Sequence, residues 1–150
     1  MTATLIAVFG TLAGAVVAGF MQHLTTTRTA RTAQTERRRQ ALAEAIPALL
    51  AALVRHREQQ YLKVVARRKA QPDTVEARQA RYAARSAVTS AMDTLYMVTQ
   101  RRDLLALAQE AVDAAMTLGD VPAGELDAAG LRARQAHTAL RTAGAQHVYA

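Results

Sequence analysis

The sequence predicts an all-α protein: one amino-terminal transmembrane helix followed by a cytoplasmic bundle of three to four antiparallel helices. Three observations predict it. Alanine, the strongest helix former, fills 35 of the 150 positions. The β-branched and aromatic clusters that mark strands are missing, with no Trp and only two Phe. No Asp, Glu, Lys or Arg occurs before Arg28, and the opening is almost wholly apolar.

Residues 1–24 read as the anchor. From Ala3 to Met21 the run is Ala, Val, Leu, Ile, Phe, Gly and Met with two threonines. About 20 residues of helix span ~30 Å, the thickness of a bilayer's hydrocarbon core. Gly10, Gly14 and Ala18 fall four apart, so one helix face carries only small residues. In lipid such a face lets two helices approach closely, which makes it a candidate for helix association. The rival reading is chance, because alanine-rich helices meet this spacing readily.

Orientation follows from charge. Arg28, Arg31, Arg37, Arg38 and Arg39 follow the apolar run and no basic residue precedes it. The positive-inside bias places the amino terminus outside and the rest in the cytoplasm, a single pass of the inner (cytoplasmic) membrane. A cleaved signal peptide fits badly, since its basic leading region is lacking. The alternative is a soluble oligomeric assembly that buries the apolar helix.

Residues 25–40 form a basic Thr/Arg-rich spacer with six threonines and no large apolar residue, hence no face to bury. Residues 41–150 form the helical domain. Its first helix carries Leu42, Ile46, Leu49, Leu50, Leu53, Tyr61, Leu62, Val64 and Val65 at spacings of three and four. Pro47 lies inside it, either kinking it or opening a new first turn. The helix ends near Ala70, and Gln71–Thr74 connects to the next, with Asp73 as the expected cap and Glu76 three residues on.

The second helix, Val75 to about Thr99, buries Ala84, Val88, Met92, Leu95 and Tyr96 and turns Arg78, Arg81 and Arg85 outward. The break at Gln100–Asp103 leaves open whether a third helix starts there. Gly119 reads as its C′ glycine. A last helix after Pro122 carries Leu126, Ala129, Ala133, Ala136, Leu140 and Ala143, weakened by Gly130 and Gly144 so that its end frays. Few large side chains occur, so the core is thin, and homo-oligomerisation would add buried area.

The net charge of +7 is uneven. Arg28 to Arg102 holds 16 basic and 6 acidic residues, and Asp103 onward 3 basic and 6 acidic. The basic middle would contact anionic lipid or DNA through Arg28, Arg31, Arg37, Arg38, Arg39, Arg67, Arg68 and Lys69, with Arg55 and Arg57 as further candidates. Nothing reads bases: no helix-turn-helix pattern is evident and aromatics for stacking are scarce. A plain solvated or lipid-facing patch is the reading preferred over DNA.

No catalytic site is announced, and no enzyme activity, cofactor or metal is expected. Cysteine is absent, so there is no disulfide framework or thiolate. The histidines His23, His56, His137 and His147 show no metal-binding spacing and read as solvated. No nucleophile elbow, phosphate loop or dinucleotide fingerprint occurs.

The opening MTATLIAVFGTLAGAVVAGFMQHLTTTRTARTAQTERRRQ and the later block ARSAVTSAMDTLYMV, Ala84 to Val98, are where a family likeness lies. Both resemble the KilB-type proteins of Streptomyces and its conjugative plasmids: a short apolar start with a GTLAG-like segment, a Thr/Arg-rich stretch, then helices. The resemblance implies a membrane-associated protein tied to the spread of plasmid DNA between hyphal compartments. It transfers no catalytic residue. The expected role is a membrane-anchored scaffold that self-assembles or docks a protein partner the sequence does not name.

Overall fold

A computed structural model describes the backbone of residues 2–149 and the side chains of residues 31–122 and 124–148. The described residues are all-helical, without a strand: α1 Thr2–Arg68, α2 Val75–Val98, α3 Arg102–Met116 and α4 Leu126–Tyr149, with short 3-10 turns at Thr117–Gly119 and Ala123–Glu125. The chain divides into two units, residues 1–38 and 39–150. Gly10, Gly14, Ala18, His23 and Arg28 lie outside the residues whose side chains are described. Among the described residues no helix is long and apolar enough to cross a membrane.

The core of the second unit follows the helical period. Leu42, Ile46, Leu49 and Leu53 of α1 are buried with Val88, Met92 and Leu95 of α2, Leu104 and Ala108 of α3, and Leu140 of α4. A smaller cluster joins Val64 of α1 to Leu118, Leu126, Ala129 and Ala133. Among the described pairs α3 and α4 approach most extensively, and the side chains between them are mainly alanines. Without bulk at these positions the backbones can close on each other, so packing rests on short-range dispersion.

Several expected details differ. Tyr96 is 49% exposed, because one residue beyond buried Leu95 the helix has turned about 100° away from the core. Leu62 and Val65 are exposed for the same reason, flanking buried Val64. Thr74, not Asp73, caps α2: its Oγ1 accepts the Ala77 backbone N–H at 3.2 Å, and Asp73 is taken by Arg81 instead. The break near Gln100 is real, and α3 starts at Arg102. Pro47 does not divide α1 into two helices.

Gly119 is not a left-handed cap, since among the described residues no glycine has positive φ. It is a point of close approach: a Cβ there would collide with the amide of Gln60 on α1. The left-handed residue is Ala70, at φ 50°. Gln71 N–H donates to Ala66 C=O at 3.0 Å and Ala70 N–H to Arg67 C=O at 3.2 Å, the paired bonds of a Schellman end. An L-alanine pays for this backbone where glycine does not. Ala70→Gly should therefore raise unfolding stability by about 0.5–1 kcal/mol, read as an upward shift in urea midpoint.

The end of α4 is held rather than frayed, with helix to Tyr149. His147 bridges to α3, its Nε2 lying 3.1 Å from Asp103 Oδ2 and its Nδ1 2.6 Å from the Arg101 guanidinium. Gly130 and Gly144 are both buried, and Gly144 faces Ile46.

Candidate functional site

The basic residues fall into separate groups. Arg31, Arg37, Arg38 and Arg39 are exposed. Arg67, Arg68 and Lys69 are exposed at the other end of α1, where cations complement the carbonyl-rich helix terminus. Within the second unit, the helix from Arg39 to Arg67 is about 42 Å long at ~1.5 Å per residue. Arg39 and the Arg67–Lys69 group therefore do not converge on one patch. Arg67 is also partly engaged: its guanidinium donates to Gly119 C=O at 3.4 Å, alongside Lys63 Nζ at 3.2 Å. Arg55 is exposed, whereas Arg57 is half-buried and donates to Ala133 C=O at 3.3 Å, locking α1 to α4.

The described histidines, His56, His137 and His147, do not stand in solvent as expected. His56 is 1% exposed, with its Nδ1 unpartnered and its Nε2 facing the Gln60 amide nitrogen at 3.4 Å. Burial, with Arg85 beside it, pushes its pKa below the ordinary histidine value. His137 is half-buried with an unpartnered Nδ1, and burial with Arg57 and Arg141 lowers its pKa too. His147 is tied to Asp103, whose carboxyl is held low first by the Leu104 backbone N–H and then by His147. No group of three or more metal-ligating side chains gathers among the described residues.

A charged cleft of about 510 Å³ lies between α1, α2 and the end of α3. His56, Lys63, Arg78, Arg81 and Arg85 line it, with Asp73 and Asp120 as its acids. Arg78 and Arg85 are exposed, as the outward face of α2 predicts, and Arg81 is half-buried. Their spacing of three and four puts them on one side of α2, but only the fold shows that α1 forms the opposite wall. The signal for His56 was available: it lies three residues after Leu53 and seven after Leu49, on the core stripe of α1.

The family model described as KilB plasmid transfer protein matches residues 43–148. The chain belongs to this family. A relative from Streptomyces lividans, Protein KilB, is 44% identical over 97 residues, covering 63% of this chain and 63% of the relative. The chain thus spans less than two thirds of that relative's length. No solved structure matches. The family match contains the Ala84–Val98 block and lies within the second unit.

Proposed function

We propose that this KilB-family chain is a non-enzymatic, membrane-anchored helical scaffold that self-assembles or docks a partner during plasmid transfer. The observation that carries the reading is the uncharged opening: helical from Thr2, with no charged side chain before Arg28, and then a run of arginines. About 20 such residues suffice to cross a bilayer, and the arginines hold the following end on the cytoplasmic side. Confinement to a membrane raises the effective concentration of the helical domain, so weak contacts between copies or with a partner suffice. Exposed apolar side chains on α1, Leu62 at 55% and Val65 at 41%, offer surface for such contacts.

Deletion of residues 1–27 tests it. The full-length chain should sediment with membranes through alkaline and high-salt washes and be freed by detergent, while the shortened chain stays in the supernatant. Full-length protein that fractionates without detergent as a discrete soluble species would overturn the anchor and favour the oligomer with a buried apolar helix.

A second reading rests on Arg37, Arg38 and Arg39, which are exposed and form no ion pair among the described residues. They supply a membrane-proximal module for anionic lipid or DNA. Each arginine near an anionic surface contributes about 1 kcal/mol. Binding by the fragment from Arg28 onward should weaken steeply between 50 and 200 mM salt, roughly one counterion per phosphate neutralised.

A further inference from the structure

The cleft between α1, α2 and the end of α3 holds more positive charge than its own carboxylates neutralise. Arg81 pairs with Asp73 at 2.7 Å and Lys63 with Asp120 at 3.6 Å. That uses both acids that line it. Arg78 and Arg85 are left without an ion pair among the described residues. They project from α2 seven residues apart, two turns along one face. Like charges held together at a concave wall attract an anion more strongly than the same charges dispersed.

A second, independent feature is the buried histidine at the same wall. The Gln60 side-chain oxygen occupies the space beside Gly119 that a Cβ would fill, so its amide nitrogen faces His56. That N–H donates to the lone pair of His56 Nε2, which places the ring proton on Nδ1. Nδ1 has no partner. A buried N–H without an acceptor is rare in folded proteins and costly to leave unmade. Arg85, whose charge acts on His56, is itself a donor and cannot satisfy it.

We propose that this cleft is a binding site for a small phosphate-bearing ligand, its phosphate oxygens paired by Arg78 and Arg85, with the buried His56 ring in the same wall as its reporter. Guanidinium forks match phosphate oxygens in geometry as well as charge. A cleft of about 510 Å³ is in the range of small-molecule sites. Tyr82, 71% exposed at the same cleft, adds a ring face and a hydroxyl for the ligand's remainder. The phosphate could arrive on a free metabolite or on a lipid headgroup. The site does not depend on the membrane anchor.

Full-length protein in a neutral detergent, titrated with inorganic pyrophosphate at 150 mM KCl, tests the proposal by calorimetry and by imidazole ¹⁵N shifts. Saturable 1:1 binding is expected, with the His56 Nδ1 resonance moving in step. Arg78→Gln and Arg85→Gln should each weaken binding about tenfold, with helix content unchanged, while Arg141→Gln on α4 leaves it unaltered. A parallel titration uses phosphatidylcholine vesicles with and without phosphatidic acid. A His56 response to phosphatidic acid vesicles but not to pyrophosphate assigns the phosphate to a lipid headgroup and upholds the site. No saturable binding to either probe overturns it. So does binding that falls equally in all three arginine variants without a His56 shift, which is charge attraction without a site.

Discussion

Gly144→Ala should destabilise the bundle by about 1–3 kcal/mol, against the helix-propensity gain of ~1 kcal/mol that the same change brings on an open helix. The sign follows from one contact. A Cβ at Gly144 would lie 2.8 Å from Ile46 Cγ2 and 3.0 Å from its Cδ1. Ile46 is 4% exposed and β-branched, so its χ1 is stiff and it has no space to yield. Either the ring of helices opens slightly at this point or Ile46 leaves its preferred rotamer. Ile46→Ala alone removes buried volume and should cost about 2–5 kcal/mol. In the double variant the new methyl at position 144 enters the space that Ile46 vacates. The combined cost should then fall clearly below the sum of the two. Urea unfolding of the four proteins, followed by helical circular dichroism, closes the cycle. A stabilised Gly144→Ala protein would mean that α4 does not meet Ile46 here.

Acidification from pH 7 to 5 should produce the second large effect. His56 and His137 are both pushed below the ordinary value of 6.5 in the folded chain. As pH falls through 6.5 the unfolded chain takes up protons that the folded chain refuses. Their contribution to stability is therefore complete above pH 6.5 and is lost below it, down to the lowered folded values. Each fully coupled histidine contributes a slope approaching ~1.4 kcal/mol per pH unit. His56→Gln should remove one proton's worth of that slope while keeping a polar side chain beside Gln60. Asp73 and Asp103 are held below the ordinary 3.8, Asp73 chiefly by the Arg81 hydrogen bond. Their loss falls in a separate, more acidic window. Unfolding free energies that stay level between pH 7 and 5 would show that the two imidazoles protonate as freely folded as unfolded.

The parts of this fold that periodicity governs were legible. The 3.6-residue rhythm marked Val88, Met92 and Leu95 on α2 and Ala129, Ala133, Ala136 and Leu140 on α4, all of them buried. Pro72 marked the α1–α2 turn, where helix is absent from Gln71 to Thr74. What depends on a partner element was not legible. Gly119 and Gly144 looked like a cap and a weak point because their neighbours, Gln60 and Ile46, lie far away in sequence. His56 was misread through its adjacent arginines, although adjacency along a helix places residues on different faces. Capping by Thr74 rather than Asp73 is a one-residue difference, with Asp73 taken by Arg81 about two turns into α2. The cationic cleft needed three elements in place before its arginines could be seen to face a wall.

Most of the buried side chains of α3 and α4 are alanines, Ala108, Ala111 and Ala115 on one helix and Ala129, Ala133 and Ala136 on the other, beside Leu104, Leu126 and Leu140. A joint made of methyl groups tolerates subtraction no better than addition: glycine loosens the coil, and anything larger wedges the pair apart. Inherited change along this seam should therefore come as matched exchanges, one partner growing as its opposite shrinks, while the outward faces of the same two helices drift freely.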